Sequence, residues 1–337
     1  VAGAMASVPQ FMRACVLRAR DGRPGAVAVE RYPVPRPSNE EVLVRVVRAP
    51  INPSDRLFLR GRYGAHRPLP AVPGMECCGV VVESGGVLGQ LLLGRRVACM
   101  ASSDSGTWAE YAVASVSQCI PLRQHVSDEQ GALMFVGPLT AWALVQSLRK
   151  GRHRAGLQTA AASALGQVVL RLAQREGTPL VNVVRRPEQV ELLYGLGADY
   201  VLNSSEASFD DDLKRVCADL RVTLAFDAVS GDMTGRLLRG LPRGARVTVF
   251  GSLSDAPCQI DPDQLIFEHK EVDGFLLADW FPTGFSSGNN PLMQIPGLFD
   301  GERSVGVRGC YDLEQIDEAL GAAAEGLTGG KVLLSGG

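Results

Sequence analysis

Hydrophobic and polar positions follow two different rhythms along this chain. Up to residue 125 the apolar residues come in short β-rich runs, such as Glu41-Val42-Leu43-Val44-Arg45-Val46-Val47, Gly79-Val80-Val81-Val82-Glu83 and Arg96-Val97-Ala98-Cys99-Met100. Pro33, Pro35, Pro37 and Gly85-Gly86 break them apart. Runs of this length between turn residues predict strands, the first at Phe11–Leu17, and make residues 1–125 an all-β or barrel-like domain. From residue 126 helical and strand patterns alternate. Ser127 stands three residues ahead of Gln130 as a capping box. Strands are then expected at 157–161, 180–184, 200–202, 224–227 and 246–250, with helices at 166–176 and 187–196 closed by Gly177 and Gly197. Such alternation builds a parallel sheet from βαβ units, here over residues 126–285. Residues 286–337 hold Gly/Pro/Asn-rich loops, an amphipathic helix near 313–324 and a last strand at 331–334, which return the chain to the first domain. The fold class is α/β.

Composition narrows the partners. With 46% hydrophobic and 21% charged residues, a net charge of −2 and dispersed arginines, there is no electrostatic case for nucleic acid or a membrane surface, and a small-molecule substrate is expected. No apolar stretch reaches the ~18–20 residues of a spanning helix. The eight cysteines are scattered without a C-x-x-C pair or a histidine at ligand spacing, which predicts buried, inert thiols in a reducing compartment. Val1-Ala2-Gly3-Ala4 ahead of Met5 reads as an expression remnant. A start at Met5 leaves no room for a transit peptide, so the cytoplasm is expected, or the mitochondrial matrix if a leader has been removed.

A dinucleotide fold needs a tight turn after its first strand, where backbone N–H groups at a helix N-terminus meet the pyrophosphate. Ala161-Ala162-Ser163-Ala164-Leu165-Gly166 occupies that place, keeping only the last glycine of G-x-G-x-x-G. An NAD site would carry an acidic residue about 20 positions beyond the turn for the ribose 2′-OH. Arg185-Arg186 stands there instead, and two guanidinium forks suit a 2′-phosphate. The cofactor expected is therefore NADPH. Plain alternatives are an ordinary βα turn and solvated arginines at a strand end.

At these residues the chain resembles the medium-chain dehydrogenase/reductase superfamily, from about Met12 to Leu334. Ala49-Pro50-Ile51-Asn52-Pro53-Ser54-Asp55 with Gly61-Arg62-Tyr63 is similar to the active-site signature of its 2-enoyl thioester (enoyl-CoA/ACP) reductases. Pro73-Gly74-Met75-Glu76, Gly106-Thr107-Trp108-Ala109-Glu110-Tyr111, Pro138-Leu139-Thr140-Ala141-Trp142 and Gly330-Lys331-Val332 fit the same superfamily. The resemblance implies a GroES-like catalytic domain and a Rossmann domain. The zinc alcohol dehydrogenases of the superfamily place a cysteine near Asn52 and a histidine at Met75; both are missing here, and no metal is expected. The stretch Arg56-Leu57-Phe58-Leu59-Arg60 is less polar than in the branch, and Gly137 and Ala164 also depart from it.

The resemblance also assigns roles. Tyr63 becomes the proton donor, since a phenol with pKa near ~10 is protonated at neutral pH. Asn52 orients substrate or nicotinamide, and Thr140 lies near the nicotinamide. Cofactor contacts are expected from Ala162, Ser163, Ala164, Leu165, Gly166, Arg185, Arg186, Asn203, Phe250, Gly251, Phe275, Leu276 and Lys331. Each catalytic candidate has a plainer reading: Asn52 as a turn former before Pro53, Tyr63 as packing, Thr140 as a helix cap. The rival activity is a zinc-independent NADPH:quinone oxidoreductase, and the rival outside catalysis is a crystallin-like protein that keeps NADPH affinity. A homodimer through edge strands near 272–277 is implied as well.

Overall fold

The short apolar runs of the N-terminal stretch become strands β1 (Phe11–Leu17), β2 (Val27–Pro33), β3 (Glu41–Pro50), β4 (Glu76–Ser84), β5 (Arg96–Met100), β6 (Tyr111–Ser115) and β7 (Cys119–Pro121). The alternating stretch supplies β8 (Gly156–Gln158), β9 (Leu180–Val184), β10 (Tyr200–Asn203), β11 (Leu224–Asp227), β12 (Arg246–Val249) and β13 (Glu271–Gly274), and the C-terminus adds β14 (Val307–Asp312) and β15 (Lys331–Ser335). This computed structural model describes residues 7–20, 25–63, 67–280, 306–326 and 328–337. The chain divides into a unit of 1–136 with 292–337 and a unit of 137–291.

In the first unit, β1 and β2 form an antiparallel hairpin, and a second sheet runs β14-β15-β3-β4-β5-β7 with β6 also paired to β3. Inward-facing Val42, Val44, Val46, Val81 and Val97 pack with Trp108 and Leu334 in one core. The C-terminal strand lies beside the longest N-terminal one: β15 is antiparallel to β3, with Leu333 opposite Pro50 and Ile51 N–H donating to Val332 O at 3.0 Å. That pairing sets the start of β15 against the residues that follow β3. Three thiols also line up, Cys77 opposite Cys99 and Cys99 opposite Cys119, with the first two sulfurs 3.5 Å apart. Burial holds the Cys15 and Cys217 thiols up at about 12; Cys258 is partly exposed and Cys310 exposed.

The second unit is a parallel sheet in the order β10-β9-β8-β11-β12-β13, which in chain order is the 3-2-1-4-5-6 of a doubly wound dinucleotide fold. β9 is buried at every position, as a central parallel strand should be. The expected Ser127–Gln130 capping box is present, and Gly177 and Gly197 take φ of +65° and +83° at the ends of their helices. β8 stops at Gln158, short of the expected 161: Thr159 N–H still donates to Phe226 O at 3.0 Å, but Ala160 turns to φ +49° and carries the chain off the strand. The next helix, Ala164–Arg175, starts two residues early because Ser163 caps it, accepting from Gly166 N–H at 3.1 Å. A helix at Val136–Lys150 precedes the sheet; the sequence pattern had not resolved it as an element.

Candidate active site

The chemistry of the first unit gathers where β3 ends. Asn52 is the N-cap of the helix Pro53–Leu59, with Pro53 in its first turn, so the turn-forming reading of Asn52 describes its backbone. Its side chain does more. Asn52 Nδ2 donates to Glu76 Oε1 at 2.8 Å, Lys331 Nζ donates to Asn52 Oδ1, and Asn52 N–H donates to Asp55 Oδ2 at 2.7 Å. Glu76 Oε2 accepts from Val136 N–H at 2.8 Å. Asn52, Asp55 and Glu76 are buried; Lys331 keeps some exposure along its stem, but its ammonium is withdrawn from solvent.

Burying these charges shifts their protonation. Desolvation raises the Asp55 carboxyl to about 7, against the backbone N–H of Asn52, and neighbouring Glu76 adds to the rise. Desolvation also raises Glu76, although the Val136 N–H, the Asn52 amide and Lys331 pull it down. The Lys331 ammonium is lowered by its own burial. Asp55 Oδ1 is buried without a hydrogen-bond partner among the described residues. Glu76 owes its place to a tight corner. Gly74 sits at φ +91°, where a Cβ would come within 2.4 Å of Thr107 Oγ1, and a Cβ on Gly106 would lie 2.0 Å from Val72 O. The runs Pro73-Gly74-Met75-Glu76 and Gly106-Thr107-Trp108 are therefore backbone against backbone.

Tyr63 is partly buried and packs against the core of this unit, which satisfies its packing reading without excluding a chemical one. The carboxyls of Asp55 and Asp104 act on the nearby Arg67 guanidinium. The guanidinium donates to Val72 O and Ser103 O, each at 2.8 Å, and burial lowers its pKa. Asp55, Glu76 and Arg67 were missed as site residues. Only the three-residue spacing of Asn52 and Asp55 signals Asp55 in the sequence, and nothing local signals Arg67.

In the second unit the expected cofactor residues cluster at the carboxyl ends of the strands. Ala162 and Ser163 form the turn after β8, and Ala164, Leu165 and Gly166 open the helix. Gly166 cannot carry a side chain, since a Cβ would lie 2.5 Å from Ala161 O. Arg185 and Arg186 follow β9, exposed; Arg186 pairs with Glu188 at 3.1 Å, whereas the Arg185 side chain makes no ion pair among the described residues. Asn203 ends β10 and accepts from Ser205, whose hydroxyl donates to Arg185 O at 3.0 Å. Phe250 and Gly251 follow β12, and Phe275 and Leu276 follow β13. Small side chains at a helix N-terminus with a free guanidinium at the neighbouring strand end form a donor set that fits a phosphorylated dinucleotide. Lys331, also expected at the cofactor, belongs to the first unit, where its ammonium donates to Asn52 Oδ1. Thr140 is buried inside the helix Val136–Lys150 and does not cap it.

Among the described residues no group of three His, Cys, Asp or Glu side chains could hold a metal ion. The positions where zinc relatives carry ligands hold Asn52 and Met75, and an amide bonded to Glu76 and Lys331 does not fit zinc.

Comparison with known proteins places the chain. Residues 38–124 match the alcohol dehydrogenase GroES-like domain, and residues 164–288 match the zinc-binding dehydrogenase family. A mitochondrial enoyl-[acyl-carrier-protein] reductase of Xenopus tropicalis is 32% identical over 73% of this chain and 72% of its own length. The protein of that name from Rattus norvegicus is 31% identical over 81% and 74%. Among solved structures, a candidate NADPH:quinone reductase of Mesorhizobium loti superposes with a TM-score of 0.89 at 32% identity, covering 98% of this chain and 99% of that one. A mycobacterial protein solved in complex with NADPH gives a TM-score of 0.79 at 25% identity, covering 96% and 99%.

Proposed function

Because this chain belongs to the medium-chain dehydrogenase/reductase superfamily, in its enoyl reductase-like branch, and is an oxidoreductase, we propose that it reduces the activated carbon–carbon double bond of a 2-enoyl thioester at the expense of NADPH. NADPH, when bound, supplies a hydride to the β-carbon. Ala162 to Gly166 at the helix N-terminus would hold its pyrophosphate, and Arg185 and Arg186 its 2′-phosphate. Asn203, Phe250, Gly251, Phe275 and Leu276 would line the remainder, and Thr140 would lie near the nicotinamide.

Tyr63 is proposed to give its phenol proton to the α-carbon, completing the addition of two electrons and two hydrogens. Asn52 would offer an amide N–H to the developing enolate oxygen or to the nicotinamide, and no metal takes part. The observation that carries the thioester reading is this polar group buried beneath the Asn52-to-Tyr63 signature, in a chain more than 30% identical to proteins named enoyl reductases.

The quinone reading has its own support in the Mesorhizobium loti likeness, which spans nearly the whole of both chains. Measuring NADPH oxidation with crotonyl-CoA, a longer 2-enoyl-CoA and a quinone in parallel decides between them. Turnover of enoyl thioesters is expected; turnover of quinone alone would replace the thioester reading. A homodimer is proposed through β13, which pairs on one side with β12 and follows exposed Leu265, Ile266 and Phe267. Free cysteines suit a reducing compartment, the cytoplasm or the mitochondrial matrix, and the relatives' names point to mitochondria.

A further inference from the structure

We infer that Lys331 and Glu76 are positioning residues for Asn52: they lock its amide in one orientation and sharpen its one remaining N–H as a donor. The inference rests on the reductase reading for what that donor serves, and on geometry alone for the lock. An asparagine amide is ordinarily ambiguous, because its oxygen and nitrogen have the same shape. Here the neighbours decide. An ammonium only donates, and a carboxylate accepting at both oxygens only accepts. Lys331 Nζ meets Oδ1, Nδ2 meets Glu76 Oε1 at 2.8 Å, and Val136 N–H occupies Glu76 Oε2 at 2.8 Å. Turning the amide over would face ammonium with NH₂ and carboxylate with carbonyl oxygen, in an interior where such contacts cost far more than in water.

Lys331 is bonded to Asn52 Oδ1 and Glu76 to Asn52 Nδ2, so the amide bridges a buried cation and a buried anion whose charges also act on each other directly. The backbone delivers the lysine to this point. Ile51 N–H binds Val332 O at 3.0 Å, and Gly330, at φ +104° with no room for a Cβ beside Gly306 O, forms the turn into β15. A cation donating to an amide oxygen also draws electron density from the nitrogen, which strengthens the N–H that Glu76 leaves free. Lys331 thereby acts on the reaction through Asn52, a role different from gripping the cofactor.

The test is a double-mutant cycle on Asn52→Ala, Lys331→Met and the pair, reading NADPH affinity by fluorescence titration and turnover with whichever acceptor the parent reduces. Lys331→Met is expected to lower kcat about 10- to 100-fold with NADPH Kd within about threefold, and to add less than about threefold on the Asn52→Ala background. A tenfold rise in NADPH Kd with kcat intact, or losses that multiply in the double variant, overturns the inference. The amide proton spectrum supplies a readout independent of activity. The side-chain ¹⁵N–H pair of Asn52, identified by its loss in Asn52→Ala, should shift and exchange faster in Lys331→Met; an unmoved pair also refutes the lock. Should Lys331→Met fail to fold, Lys331→Met with Glu76→Gln removes both charges together, and the same spectrum is read there. A parent that turns over neither acceptor would sink the reductase reading, and the amide spectrum would still judge the lock.

Discussion

Asn in place of Asp55 should abolish the pH dependence that this buried carboxyl gives to the chain's stability. The Asp55 carboxyl rises from 3.8 to about 7 because it is fully buried, so between those values the folded chain holds a proton that the unfolded chain has released. Stability therefore falls as pH rises through that window and levels off above about 7. At 1.36 kcal/mol per unit the portion between pH 5 and 8.5 comes to about 3 kcal/mol. Asp55→Asn removes this slope. It keeps an oxygen for Asn52 N–H but places an NH₂ where Oδ1 has no partner, a pH-independent cost of about 1–3 kcal/mol. The variant is thus expected to melt below the parent at pH 5 and level with it or above it at pH 8.5. The difference in Tm should swing by roughly 6–12 °C, at about 2–4 °C per kcal/mol. Thermal melts of both proteins in parallel buffers read it directly. Melting curves that stay parallel across the range would mean that Lys331 and Arg67 keep Asp55 ionised and that its burial is compensated.

Three further outcomes follow from the site. Arg185→Ala should weaken NADPH binding about 10- to 100-fold and leave NADH unaffected; Arg186→Ala should cost less, because Arg186 is shared with Glu188, and equal losses in a titration would contradict this. Tyr63→Phe keeps the ring's packing and should cut turnover by a factor on the order of 10²–10⁴ with NADPH affinity nearly intact, whereas turnover within threefold of the parent would call for another proton donor. Dialysis against a strong chelator should leave activity unchanged, and elemental analysis finding one tightly bound zinc per chain would overturn the assignment of Asn52 and Met75.

The sheet was readable from the sequence wherever one rule acted alone. β1, β5, β9 and β11 fall on the expected residues because period and turn signals agree there. Boundaries slipped where the backbone turned, as at β8, where Thr159 N–H still donates to Phe226 O but Ala160 takes φ +49°. At the site, Asn52 and Tyr63 were legible because they are neighbours in one signature. The bond from Lys331 to Asn52 was not, since it depends on β15 pairing with β3 from the far end of the chain. Arg67 was equally hidden, its environment being set by carbonyls of other turns and by the Asp55 and Asp104 carboxyls. Patterning assigns elements; it does not assign which charges share an interior.

The line of thiols across β4, β5 and β7 has a practical consequence for following this molecule as it unfolds. Cys77, Cys99 and Cys119 are shut inside the first unit and Cys217 inside the second, while Cys310 is open to solvent. An alkylating reagent applied in a short pulse should mark Cys310 at once and reach the others only when their unit opens. Peptide mapping of the label would then time the loosening of the two units separately, with Cys217 as the clock of one and the strand-matched trio as the clock of the other.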